Sequence, residues 1–191
     1  MSLLLALACA PRLYSEGDEE PWSAPENRWP TIEQDPALTG EGFRVGEVIP
    51  ELRGPDQFGD EVSLWQFHGQ LMVLDISAMW CGPCQALAEH VGESQERFAD
   101  DGVVFVTVLP QDKVGGSVDV SELQQWAELG GENAPIVADQ DGWSIKAVPD
   151  NSFPLILLVD REMRVHTRGL QTAHLEIEEA VSEFLAAESV D

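Results

Sequence analysis

The apolar run Leu71-Met72-Val73-Leu74-Asp75-Ile76 leads almost directly into Trp80-Cys81-Gly82-Pro83-Cys84, and from there into the helix-forming Gln85-Ala86-Leu87-Ala88. A buried strand handing over to a helix is a unit of α/β architecture, and here two thiols sit at the handover. At a helix N-terminus, unsatisfied backbone N–H groups and the positive end of the helix dipole favour thiolate over thiol. A free cysteine has a pKa of about 8.5, and cysteines in such settings range from about 3.5 to 7.5. Cys81 is therefore the expected nucleophile near neutral pH. Cys84, one helical turn further in, is placed to attack a mixed disulfide and release the partner. The pair supports two-electron chemistry with no cofactor beyond its own disulfide.

The elements around this unit alternate. Residues 42–64 read as a lead-in and a hairpin turning near Phe58-Gly59-Asp60. A helix from Cys84 buries Leu87, Ala88, Val91 and Phe98 at helical spacing, and the run 103–109 is a fully buried parallel strand. A helical stretch at 120–129 precedes a short strand at 135–138. Residues 155–159 and 163–168 form an antiparallel pair turning at Asp160-Arg161-Glu162. A closing helix carries Ile177, Val181, Phe184 and Leu185 on one face. The expected fold class is α/β: a central mixed β-sheet with helices on both faces and an N-terminal hairpin extension.

Through WCGPC and the residues around it, roughly 42–187, the chain resembles the thioredoxin superfamily, and its lead-in and hairpin resemble the redoxin and TlpA-like branch. The resemblance implies a thioredoxin-like fold and thiol-disulfide oxidoreductase activity on protein disulfides. Asp75, six residues before Cys81, falls where the family carries a buried acid that relays a proton to and from the inner thiol. Burial on an apolar strand should also raise its pKa, as a base working near neutral pH requires, and Asp75→Asn is expected to slow turnover most at low pH. Ser152-Phe153-Pro154-Leu155 looks like the family's cis-proline before a central strand, so Pro154 is expected opposite the cysteines with Phe153 beside them. Trp80, Gly82, Pro83, Phe153 and Pro154 then shape the substrate groove, Trp80 serving both as core packing and as a lid. Two departures stand out. Glu89 and His90 occupy the region where thioredoxins carry a helix-kinking proline, so the helix should be straighter. Phe153 replaces the usual small residue and makes the groove narrower and more apolar. The Gly82-Pro83 dipeptide matches that of reducing thioredoxins, which points to a reductant.

Other readings compete. A CxxC can be half a zinc site, but no second cysteine pair exists and His68, His90, His166 and His174 lack ligand spacing, so no metal is expected. Asp75 on an edge strand would be a surface acid, and Pro154 could simply open a strand in trans. A peroxidase of the peroxiredoxin type needs a Pro and a Thr or Ser upstream of its cysteine, where Leu74 and Ala78 stand. A copper-handling module on the same fold spaces its cysteines by three residues rather than two.

The charge restricts partners. With 35 acidic against 10 basic residues the formal net charge is −25, a field that repels nucleic acid and anionic surfaces. Partners are expected to be protein thiols and disulfides and a membrane-bound or periplasmic electron donor, with the chain itself a monomer. The segment 1–9 is too short to span a bilayer and ends in Ala6-Leu7-Ala8-Cys9, which resembles a bacterial lipobox without a basic flank. On that resemblance Cys9 is the lipidation site and the domain is anchored in the cell envelope facing the periplasm; the alternative is a cytoplasmic protein. Residues 10–41 are rich in Pro, Glu, Ser and Asp and read as a disordered tether, in which Trp22 and Trp29 are suited to docking on the domain or on a partner. The thioredoxin-like domain is expected to occupy 42–191.

Overall fold

A computed structural model of the chain describes residues 22–31 and 38–189. Its order is β1 (Arg53–Pro55), β2 (Glu61–Ser63), β3 (Leu71–Ile76), α1 (Gly82–Phe98), β4 (Val103–Leu109), α2 (Val120–Gly130), β5 (Ile136–Ala138), β6 (Leu155–Val159), β7 (Val165–Arg168) and α3 (His174–Glu188). The first two strands form the expected hairpin. Its turn is held by Asp56, whose Oδ1 accepts from the Phe58 and Asp60 amides, and Gly59 takes the positive φ that the reversal requires.

The main sheet runs β5-β4-β3-β6-β7. β3 pairs in parallel with β4 and β4 with β5, while β6 runs antiparallel to β3 and β7 to β6. Every residue of β3, β4 and β6 is buried, the signature of strands covered on both faces. Asp75 thus lies on the central strand and not on an edge. The β6–β7 turn is built by Asp160, whose Oδ1 accepts from the amides of Glu162 and Arg164.

Alternation along the strands sorts the core into two layers. Leu71 and Val73 of β3, Phe105 and Leu109 of β4, and Ile156 of β6 face α1, α2 and α3. Met72, Leu74 and Ile76 with Val104, Val106 and Leu157 face Ile49, Leu64 and Phe67 of the extension. Among the described residues the three α-helices therefore share one face, with α1 in contact with both others. The opposite face, expected to carry helices as well, is covered by the lead-in, the hairpin and short 3₁₀ turns such as 64–67, because the extension has no amphipathic run long enough for an α-helix.

Part of the expected tether belongs to this layer. Residues 22–31 lie against the hairpin rather than away from the domain. Trp22 Nε1 donates to Glu51, Asn27 exchanges hydrogen bonds with Gln66, and Trp29 Nε1 donates to the buried Asp56 at 2.7 Å. Two indoles that each gain a carboxylate acceptor, Trp29 packing on the core and Trp22 under the Arg53 guanidinium, offset the entropy of ordering a polar stretch. The segment 1–9, with Cys9, lies outside the described residues, as does the rest of 10–21. Among the described residues no helix is long and apolar enough to cross a membrane.

Candidate active site

β3 ends at Ile76, and four residues carry the chain from there to Cys81 at the N-cap of α1. The loop is held by backbone bonds from Ser77 to Val108, Met79 to Gln111 and Cys81 to Ala78, and by Gln85 Nε2 donating to the Met79 carbonyl. Cys81 and Cys84 form a disulfide with Cα atoms 5.2 Å apart. Cys81 Sγ also accepts the Cys84 amide at 3.2 Å, so the sulfur occupies the place where a capping oxygen normally sits. That position stabilises a thiolate there once the disulfide is opened. Pro83 falls in the first turn of α1, where its missing N–H leaves no bond unmade.

Both sulfur-bearing residues are buried, Cys84 completely, while Gly82 and Pro83 are exposed. A side chain built on Gly82 would meet nothing within 4 Å, so the surface over Gly82, next to the disulfide, is open. Trp80 is 44% exposed and stands beside the site without packing in the core. Its ring meets Phe153 edge-on at 5.6 Å, and its Nε1 donates to Gln111 Oε1. The Trp80 reading is thus corrected: the loop turns the indole outward, where it can flank the disulfide but fills no core space. Phe153 packs against the cluster that holds both cysteines. The Phe153–Pro154 peptide is cis and immediately precedes β6, whose Leu155 lies opposite Ile76.

Asp75 sits between Thr107 of β4 and Ile156 of β6 and is 4% exposed. Desolvation pushes its pKa up to about 7, against the opposing effect of hydroxyl donation from Ser77 at 2.6 Å and Thr107 at 3.5 Å. The carboxyl opens on a cavity of about 20 Å³ beneath α1, lined by Leu87, His90 and Ser94 of that helix and by His174 of α3. The cysteines line the neighbouring cluster and not this cavity. α1 runs unbroken from Gly82 to Phe98 past Glu89 and His90, and His90 stacks on His174 rather than reaching the thiols.

Sequence reasoning missed the hydroxyls that hold Asp75. Thr107, a lone polar residue in the run 103–109, was a visible signal. Gln111 and the His90–His174 pairing carry no sequence signal, since each joins residues far apart along the chain.

A sheet with a cis-proline strand beside a CxxC at a helix N-cap defines a thioredoxin-like redoxin. The chain belongs to the AhpC/TSA family, whose model matches residues 45–166. It is 25% identical over 122 residues to the thiol-disulfide oxidoreductase ResA of Geobacillus thermodenitrificans, covering 63% of this chain and 66% of that protein. To an H-type thioredoxin of Oryza sativa subsp. indica it is 30% identical over 81 residues, 42% of this chain and 57% of that one. The chain thus spans less than two thirds of the length of either relative. In fold it is similar to a thiol:disulfide interchange protein from Bacteroides sp. (TM-score 0.62, 21% identity, covering 75% of this chain and 91% of that one). The peroxidoxin BcpB of Mycobacterium tuberculosis is also similar in fold (TM-score 0.60, 18% identity, covering 76% and 98%).

Proposed function

We propose that this protein is a thiol-disulfide oxidoreductase acting as a reductant of protein disulfides, with no cofactor beyond the Cys81–Cys84 pair. The observation that carries the reading is the disulfide itself, at the N-cap of α1 with Cys81 Sγ accepting the Cys84 amide and open space in front of Gly82. In the reduced protein the Cys81 thiolate attacks a substrate disulfide and expels one substrate thiolate. Asp75 takes the proton of Cys84, whose thiolate then attacks Cys81 Sγ, restores the internal disulfide and expels the second substrate thiolate. Two electrons pass to the substrate. Its two sulfurs take up two protons, one given up by Cys81 on ionising and one released by Cys84.

An acid titrating near 7 works as a base only when ionised. Asp75→Asn is thus expected to matter most above about pH 7, and not at low pH as the sequence alone suggests. Trp80, in edge-on contact with Phe153, and the exposed Gly82-Pro83 give the disulfide an apolar flank suited to an extended peptide beside Pro154.

The lipobox-like Ala6-Leu7-Ala8-Cys9 supports anchoring in a bacterial envelope, where a membrane-bound or periplasmic donor would return electrons to the dithiol. The likeness to a peroxidoxin favours a second reading, thiol peroxidase. Against it, Leu74 and Ala78, at the positions a peroxide pocket would use, are apolar and fully buried.

Equilibration against thiol buffers, read by tryptophan fluorescence, tests the proposal. A potential near the about −270 mV of thioredoxin supports a reductant, one near the about −120 mV of DsbA makes the protein an oxidant, and rapid turnover of hydrogen peroxide would favour the peroxidase.

A further inference from the structure

The cavity over Asp75 has a particular mouth. Its walls are mostly apolar side chains of β3, β4, β6, α1 and α3, and every lining residue is buried except His90, Val91 and His174, which are half-buried. Valine cannot carry a proton and the buried Ser94 hydroxyl is committed to Glu178, so the half-buried polar groups of the lining are the two imidazoles. They stack across the gap between α1 and α3 with ring centroids 3.8 Å apart and planes within 20° of parallel.

A volume of about 20 Å³ exceeds the roughly 10–15 Å³ that one water needs, and Asp75, Thr107 and the imidazoles supply the polar partners that such a water requires. Imidazole is also the side chain that exchanges a proton most readily near neutral pH.

We propose that the His90–His174 pair is the proton gate of the site, taking from Asp75 the proton drawn from Cys84 and passing it to solvent. The inference rests on the reading of Asp75 as the base for Cys84. In this step the O–H bond of the Asp75 carboxylic acid breaks and an N–H bond forms on an imidazole through one water. The imidazolium then loses that proton to bulk. No electron moves, since the disulfide is closed separately by Cys84.

The other charged groups near the pair do not offer a competing route. Glu178, one turn along α3 from His174, is buried but engaged by Ser94 Oγ at 2.8 Å and by Arg97 Nη1 at 2.6 Å. Glu89 and Glu93, beside and one turn beyond His90 on α1, lie outside the cavity lining. Among the described residues, Asp75 is the lone carboxyl on the cavity.

The test is multiple-turnover reduction of insulin disulfides by dithiothreitol, catalysed by the full chain in dilute buffer free of imidazole, where every cycle must clear the proton left on Asp75. It compares wild type, His90→Gln/His174→Gln and Asp75→Asn from about pH 5.5 to 8.5. The double variant is expected to be about tenfold slower above pH 7 and to recover when free imidazole is added, whereas Asp75→Asn is slow with or without imidazole. Its equilibrium reduction potential should equal that of wild type, because a gate changes rates and not end states. A double variant as fast as wild type, or one whose loss imidazole does not repair while the potential shifts, would overturn the gate. The single variants His90→Gln and His174→Gln keep the test decisive if the double variant folds poorly. An Asp75→Asn protein as fast as wild type would instead overturn the relay on which the gate depends.

Discussion

On the extension side of the sheet, the rows Met72-Leu74-Ile76, Val104-Val106-Val108 and Leu155-Leu157-Val159 are wholly apolar and close on Phe67 and Leu64. On the helix side, the matching rows of β3 and β4 are broken by Asp75 and Thr107, and a small cavity lies where a side chain would otherwise fill space. One sheet thus carries a filled face, where stability is concentrated, and a face that gives up packing for a titratable group. Burial of a carboxyl that titrates near 7 is unfavourable for folding, and it persists here on the strand that leads to the cysteines.

The sharpest way to break the comparison is at the thiols. Cys81→Ser is expected to abolish reduction of protein disulfides, and Cys84→Ser to accumulate mixed disulfides visible on non-reducing gels; full reductase activity in Cys81→Ser would contradict the assignment. On the filled face, Phe67→Ala should cost about 3–5 kcal/mol in denaturant unfolding and leave the reduction potential unchanged.

Asp75→Asn should do the reverse. The native acid titrates near 7 and the unfolded one near 3.9, so the native state holds the extra proton between those values and loses stability as pH rises through that window. Relieving that burden should stabilise the variant by up to roughly 4 kcal/mol at pH 8, with the gain vanishing below about pH 4, while turnover falls. A stability difference between variant and wild type that does not change with pH would remove the distinction between the faces. The smallest expected effect is at the docked segment. Trp29→Phe removes one donor to the buried Asp56 and should cost about 1–3 kcal/mol with no change in redox behaviour.

Much of this arrangement was legible in the sequence. The runs 71–76 and 103–109 announced buried strands, because strands covered on both faces lose alternation, and Pro154 stood where a strand begins. The thiols were legible because strand, turn and helix are contiguous in the chain. What escaped was set by distant partners. The docking of Trp22 and Trp29 depends on Glu51 and Asp56, the placement of the three α-helices on one face depends on what the extension covers, and the His90–His174 stack joins residues of different helices. The exposure of Trp80 follows from a loop geometry that no local pattern encodes.

β3 is the middle strand of five, and its ladder to β4 continues through the Ser77 amide into the loop before the cysteines. Its amides should exchange with deuterium only when the whole domain opens, whereas the residues beyond Met79 can open locally. Breaking and closing the disulfide would then register as a change in exchange around Trp80 to Gln85 and near Phe153, against strands whose protection stays constant. The dithiol is thus expected to turn over at the end of a mount that does not move with it.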